Sequence, residues 1–344
     1  MPSQSGDFAT PEQIIDDLWA PRATQVLLTA VELGLFSHLA AGARTATEVA
    51  AAAGSDPRAT GRVLDALTAL GYLDPGDEGR DGEGGGYELT PLSQRFLVQD
   101  SPSYLGDMCR ETRLLWDSWS RLTEVVRSGE PVARWEEEAD GRKNFPQLVS
   151  AWFPMSFGAA RAAVAALPES TLAGVNRVLD VAAGSGAWSL AFALARPEVR
   201  VTTVDHPEVT EVTRTFTRSF GVADRYEHLT GDIRQVAFGE DYDLVTLGYI
   251  VHTEGPEWGR RLIERAYAAL RPGGTLLIGD MIPDDDRAGP DIPLVFAATD
   301  LLLFSRDGDV FTMSDYHRWL TGAGFRDVTT YDVLAPSPLL VATK

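Results

Sequence analysis

The 344-residue chain reads as α/β: a mostly parallel sheet with interleaved helices, preceded by a smaller, mainly helical, winged-helix-like domain. Three observations carry this. From Arg177 onward, short apolar runs of strand length alternate with helical stretches, the pattern of a parallel sheet with right-handed crossovers. Before residue 100 the order is helix, turn, helix, hairpin. Between them lies a helical stretch with apolar, aromatic-rich segments such as LLWDSWSRL and AWFPMSFGAARAAVAAL. The expected divisions are 1–102 for the front domain, 103–167 for a helical linker and covering region, and 168–344 for the α/β domain.

In the front domain, Thr10 is placed to cap a first helix, with Pro11 at its first position and Gln13 completing a capping box. Ile14, Ile15, Leu18 and Trp19 share one face. Pro21 is read as starting a second helix, carrying Ala23, Val26, Leu27, Ala30 and Val31 and stopped by Gly34. These helices are largely apolar for so short a segment, which implies cover either by a second copy of the chain or by the rest of the same subunit. Thr45 or Thr47 then caps a short helix, and Pro57 opens another bearing Val63, Leu64, Leu67 and Leu70. Gly71 ends it. Tyr72-Leu73 and Tyr87 to Leu89 form a hairpin around the tip DPGDEGRDGEGGG, whose glycines and aspartates predict mobility.

A winged helix suggests DNA, but the charges oppose it. Residues 1–100 hold six Arg and no Lys against fifteen Asp and Glu, and the helix after Pro57 offers only Arg58 and Arg62. Phosphate contacts dominate such binding, and the cations for them are missing. The whole chain carries a formal charge of −20, which repels nucleic acid and anionic membranes. No apolar run approaches the ~18 residues of a spanning helix, and MPSQSGDFATPEQ has neither a basic start nor an apolar core. Cys109 is the only cysteine, so an intrachain disulfide and cysteine-clustered zinc are excluded. A cytoplasmic protein acting on small molecules is expected.

The chemistry gathers at the strand ends. VNRVLDVAAGSGAWSLAFALA is strand, glycine turn, helix: the strand closes at Asp180, and Gly184-Ser185-Gly186 turn where a ligand must approach backbone. Alone, this turn and its spacing to Asp205 would suit a dehydrogenase equally well. VRVTTVDHPEV is a second strand ending in Asp205, an acid able to hold two ribose hydroxyls. EHLTGDI is a third, leading to Gly231-Asp232-Ile233, with Asp232 placed for an adenine amino group and Ile233 for the ring. DLVTLGYIVH is read as a fourth strand running into His252. LRPGGTLLIGDMIP is a turn and fifth strand ending in Asp280. Such acids line the carboxyl edge of the sheet, where open α/β folds bind ligands.

The series DVAAGSG, VDHPEV, GDI, GYIVH and AYAALRPGGTLLIGDMIP resembles the class I S-adenosylmethionine methyltransferases. More narrowly, the chain from about residue 10 to 344 is similar to the hydroxyindole/caffeate-type small-molecule O-methyltransferases, including bacterial natural-product members. The resemblance implies a Rossmann-like, seven-stranded, mostly parallel sheet closed by an antiparallel hairpin from GFRDVTTYDVLAPSPLLVATK. It also implies a front dimerisation domain, a homodimer, S-adenosylmethionine as cofactor and no metal. Ala183, Gly184 and Gly186 would pack against the methionine part and Asp205 against the ribose. Asp232 and Ile233 would hold the adenine, with Asp180, His206, Gly231, Gly248 and Tyr249 also along the cofactor. Ser156 would touch the cofactor carboxylate. Trp152, Phe153, Met155, Phe296 and Asp300 would line the substrate site, whose aromatics suit a flat aromatic substrate.

His252 matches the family's general base and Asp280 the acid that orients it. A phenol ordinarily titrates near ~10, and an imidazole near ~6.5 can take its proton during attack, worth roughly 10²–10⁴-fold. Departures are visible. The family's His-Asp-Trp is here His252-Thr253-Glu254, the position that plant members often give to lysine is Gly248, and the second supporting acid has only Asp309 nearby. Methyl transfer to carbon or nitrogen, a hydroxylase-like relative and a ligand-sensing regulator are the rival readings.

Overall fold

The computed structural model describes residues 10–78, 85–135, 142–333 and 338–344. The hairpin tip at 79–84 and the acidic run at 136–138 lie outside the described residues. The chain forms two compact units, 1–114 and 115–344.

The front unit begins with one long helix, α1 (Glu12–Glu32), where the sequence suggests two. Pro21 lies inside it, and Thr10 makes no cap, since the N-cap residue is Pro11 and no side-chain cap bond forms. The helix continues across the missing Pro21 N–H, with Arg22 and Thr24 side chains donating to the carbonyls of Leu18 and Ala20 at 2.7 and 3.1 Å. Then come α2 (Leu35–Ala40), α3 (Ala46–Ala53), α4 (Pro57–Ala69), β1 (Leu73–Glu78), β2 (Gly85–Leu89) and α5 (Pro91–Phe96). Thr45 caps α3 with Glu48 closing the box, and Asp56 caps α4. Leu35, Phe36, Val49, Leu64 and Leu67 form the core beneath the hairpin, which is the winged-helix order expected.

A helix α6 (Gly106–Trp119) spans the division at residue 114. The second unit continues with α7 (Leu122–Ser128), α8 (Phe145–Ala151), α9 (Phe153–Ala166) and α10 (Glu169–Ala173). Its sheet comprises β3 (Arg177–Val181), β4 (Arg200–Asp205), β5 (Tyr226–Thr230), β6 (Tyr242–Gly248), β7 (Leu270–Gly279), β8 (Arg326–Tyr331) and β9 (Leu339–Thr343). The strand order is β5-β4-β3-β6-β7-β9-β8. The first five are parallel, and β9 and β8 add antiparallel at the β7 side. Between them run α11 (Ala187–Ala195), α12 (Pro207–Ser219), α13 (Val251–Ala269), α14 (Asp291–Phe296), α15 (Leu302–Phe304) and α16 (Met313–Ala323). A π turn, Ala297–Leu301, joins α14 to α15.

Both sheet faces are buried, as a parallel sheet requires. Leu179, Val181, Val245, Leu247 and Ile278 face one cluster, whereas Val178, Leu244 and Leu277 face the other. This is the period-two alternation of strands. Sequence order reverses between β3 and β6, so their carboxyl ends flank the crevice where such sheets take ligands. Among the described residues no helix is long and apolar enough to cross a membrane.

One expected boundary shifts. The fourth strand of the parallel set, β6, stops at Gly248, and His252 lies in the first turn of α13 rather than at a strand end. Tyr249 ends the strand by adopting a φ of 56°, a left-handed conformation that cannot continue a ladder.

Candidate active site

After β3 the backbone turns through Ala182, Gly184 and Gly186, with φ of 53°, 58° and 75°. A Cβ on Gly184 would lie 3.3 Å from Val149 Cγ1, and the conformation itself disfavours one. Asp180 sits beneath this turn. One oxygen accepts from Thr246 Oγ1 at 2.7 Å and the other from Ser189 N at 3.2 Å. Asp180 thus ties β3 to β6 and α11 from below, and burial pushes its carboxyl up to about 6.

Asp205, at the end of β4, is buried, and its carboxylate has only backbone partners among the described hydrogen bonds: Gly184 N at 2.8 Å and His206 N at 2.7 Å. Burial pushes its carboxyl up to about 7, against those two N–H donors, and Asp180 and Glu208 add to the rise. A carboxylate accepts about four hydrogen bonds, so two acceptor positions remain beside the glycine turn. Two acceptor positions are what a vicinal diol such as a ribose would need. His206 is the N-cap residue of α12, with its imidazole pKa lowered by burial and by Arg142.

Past β5, Gly231 adopts a φ of 150°, and its Cβ would lie 2.7 Å from Val236 Cγ2. Asp232 accepts from Arg234 N at 2.8 Å and Gln235 Nε2 at 3.0 Å. Ile233 is buried in the core cluster, 7% exposed. Ser156 is buried on α9 and Met155 beside it is exposed.

The second group of residues lies at the ends of β6 and β7. His252 and Asp280 are both buried, 5% and 2% exposed. The imidazole Nδ1 hydrogen-bonds Asp280 Oδ1. Three further donors converge on the same carboxylate: Met281 N on Oδ1 at 2.8 Å, and His252 N and Tyr316 Oη on Oδ2 at 3.1 and 2.7 Å. Burial alone would raise the Asp280 carboxyl, but His252, Tyr316 and the Met281 N–H together hold it below the ordinary carboxylate range. The Phe296 ring meets the imidazole edge-on at 5.2 Å. With Phe296, the residues Trp152, Tyr249 and Leu294 pack on Met281, Leu301 and Val310. Asp300 lies in the π turn, its carboxyl raised by burial and hydrogen-bonded by Thr299 Oγ1 at 2.8 Å.

The structure thus gathers Trp152, Tyr249 and Phe296 in one cluster, of which Phe296 meets the His252 ring. Phe153 goes elsewhere, stacking on Phe216 at 4.0 Å and Phe157 at 5.1 Å against α12. The departures noted in the sequence acquire local explanations. Glu254 is buried and pairs with Arg234 Nε at 2.8 Å, joining the start of α13 to the segment after Asp232. Asp309 offers His252 its backbone, the N–H donating to the His252 carbonyl at 3.0 Å, and its carboxylate accepts from Val310 N. Gly248 pairs with Gly279 across β6 and β7, and a Cβ on either would overlap the Trp188 indole.

Sequence reasoning overlooks Trp188 and Tyr316. Glycines ending two adjacent strands are a signal for the first. For Tyr316, on a helix far along the chain, no local signal exists. Among the described residues no cluster of His, Cys, Asp and Glu could hold a metal ion.

Comparison with known proteins agrees with this architecture. The O-methyltransferase domain matches residues 155–326, and the O-methyltransferase dimerisation domain matches residues 19–99. A tetracenomycin polyketide synthesis 8-O-methyl transferase of Streptomyces glaucescens is 30% identical over 97% of both chains. A 3-hydroxy-5-methyl-1-naphthoate 3-O-methyltransferase of Streptomyces sahachiroi is 31% identical over 91% of this chain and 89% of its own. Human N-acetylserotonin methyltransferase, solved in complex with S-adenosylmethionine, superposes with a TM-score of 0.85 at 25% identity, covering 100% of this chain and 99% of its own. With the strand order, the glycine turn and the acid at the end of β4, these matches establish that the chain belongs to the O-methyltransferase family, enzymes that take their methyl group from S-adenosylmethionine.

Proposed function

We propose that the chain methylates a phenolic hydroxyl of an aromatic natural-product-type small molecule, with His252 as general base. The observation that carries this is the buried His252–Asp280 pair. Asp280 takes Nδ1 and so commits one tautomer, leaving Nε2 as the atom that receives a proton. The apolar cluster of Trp152, Tyr249, Leu294 and Phe296 beside it suits a flat ring. The two Streptomyces relatives, one named for tetracenomycin polyketide synthesis and one for a hydroxynaphthoate, support an aromatic acceptor.

S-adenosylmethionine supplies an activated methyl group, so this chain's residues have to orient the acceptor, exclude water and move one proton. Asp205 would hold the ribose, Gly184 and Gly186 would admit the methionine end, and Asp232 would face the adenine. His252 Nε2 would accept the phenolic proton as the oxygen attacks. Asp280, kept ionised by its donors, would stabilise the imidazolium. Asp300 and Met155 would contact the acceptor from the covering helices.

The test is product formation. Purified protein, S-adenosylmethionine and a panel of naphthols and hydroxylated polyketides are expected to yield a mono-O-methyl ether, identified by mass spectrometry and NMR. Acceptors whose hydroxyls are already methylated should give nothing. Methylation of those blocked acceptors on carbon would refute the oxygen assignment.

A further inference from the structure

Asp280 is the most heavily donated-to carboxylate near His252, and one of its donors has no part in the reaction as described so far. Tyr316 lies on α16, fully buried, between Phe311 and Trp319. Its hydroxyl reaches Asp280 Oδ2 at 2.7 Å across 36 positions of sequence. Oδ1 is occupied by His252 Nδ1 and Met281 N, so Tyr316 and His252 N complete the four acceptor positions. A phenol is one of the few side chains that can supply such a donor from an otherwise apolar helix face.

We propose that Tyr316 is a positioning residue for methyl transfer, setting the proton affinity of His252 through Asp280; this rests on the reading of His252 as base. A hydrogen bond to a carboxylate stabilises its charge and withdraws some of it from its other partner. With Tyr316 donating, Asp280 stays ionised yet pulls less strongly on the imidazolium, so His252 releases its proton more readily between turnovers. Tyr316 itself stays protonated, since burial and the charge of Asp280 both drive its phenol well above the ordinary value. It therefore donates a hydrogen bond without passing a proton.

Other charged and titratable groups bear on the pair from each side. Tyr249, at the end of β6, feels Asp280. Asp315, on α16, acts on Tyr316. Asp309, behind His252, lies 4.0 Å from Arg287. None of these donates to Oδ2 in the described hydrogen bonds, which leaves only His252 N there if the Tyr316 hydroxyl is removed.

The experiment is a ¹⁵N titration of the His252 side chain in the full-length protein, its signals assigned by their loss in His252→Ala. Tyr316→Phe removes only the oxygen and is expected to move the His252 midpoint to higher pH by about half a unit or more, the direction for a carboxylate that has lost a donor. The pH profile of kcat should move with it, while the KM for acceptor stays within about twofold. Site-specific 3-fluorotyrosine at position 316, a stronger donor of nearly the same shape, should move the midpoint to lower pH and keeps the test open if Tyr316→Phe folds poorly. A midpoint unchanged in either variant would overturn the proposal. Turnover retained in His252→Ala would instead defeat the base reading, and the titration would still decide whether Tyr316 tunes the pair.

Discussion

Asp205 is the residue where burial and function pull in opposite directions. Its carboxyl is pushed up to about 7 because the end of β4 is buried, and two backbone N–H groups only partly offset that. In the proposed role of Asp205, ribose hydroxyls would donate to the charged form, so ligand binding would favour deprotonation. The affinity for S-adenosylhomocysteine is therefore expected to be flat above about pH 7 and to fall by up to about tenfold per pH unit below it. The linkage on the stability of the free chain runs the opposite way. Without ligand, the folded chain keeps a proton that the unfolded chain releases near ~4, so this group costs stability as pH rises from about 4 to 7. The thermal shift produced by S-adenosylhomocysteine should grow over that interval. Calorimetry from pH 5.5 to 8.5 checks both, and Asp205→Ala should bind at least about tenfold more weakly at high pH, each lost charge-assisted bond being worth ~1.5–3 kcal/mol. Affinity indifferent to pH and to Asp205→Ala would place the ribose elsewhere. At His252, the expectation is a kinetic one. His252→Ala should lower turnover by roughly 10²–10⁴-fold with cofactor affinity nearly unchanged. The residual rate should recover at high pH as the phenol, ordinarily near ~10, ionises unaided. Wild-type turnover in that variant, measured at saturating acceptor, would make His252 a packing residue.

Among the elements, the junction of α11 with β6 and β7 rests on a single large side chain. Trp188 is 4% exposed and covers Gly248 and Gly279, which are partners in register. Gly248→Ala would drive a methyl into the indole, and overpacking of this kind costs about 1–3 kcal/mol. The cost should shrink sharply in a Trp188→Leu background, which a double-mutant cycle by thermal unfolding measures. Equal costs in both backgrounds would show that the two glycines serve something other than the indole. This slot illustrates which features local sequence reveals. Strand existence and order follow from apolar runs, LRPGG and the acids after the strands, because each signal is contained in a few residues. The pairing of His252 with Asp280 is legible only through the family resemblance, and the structure shows both just past the ends of neighbouring strands. Trp188 against two glycines, and Tyr316 against Asp280, depend on contacts across 60 or 91 positions in one case and 36 in the other, and no periodicity encodes those. The end of β6 is misjudged for a related reason. GYIVH is as apolar as a strand, and only the left-handed Tyr249 reveals the break. Pro21 misleads in the opposite sense, since proline disfavours a helix interior, yet α1 runs through it with Arg22 and Thr24 bonding nearby carbonyls.

The whole molecule combines a strongly acidic surface with an exposed apolar helix, and that combination predicts how it assembles. Ile14, Leu18 and Trp19 on α1 are 65%, 65% and 61% exposed, and Ile15 is 47% exposed. An apolar stripe of this kind, in a segment adjoining and overlapping the match to a dimerisation domain, is expected to be covered by a second copy of the chain. Light scattering is expected to give about twice the 37.3 kDa chain mass. Leu18→Glu together with Trp19→Glu should shift the equilibrium to monomer, because each protomer would then desolvate carboxylates at the seam. The net charge of −20 adds a condition. Two such chains repel at long range, and the Debye length contracts from about 30 Å at 0.01 M salt to about 8 Å at 0.15 M. An apolar interface between acidic protomers should therefore tighten as salt rises, the reverse of one built on ion pairs. Sedimentation across that range separates the two. A wild-type chain that stays monomeric at every salt concentration, with the α1 variant indistinguishable from it, would exclude dimerisation through this helix.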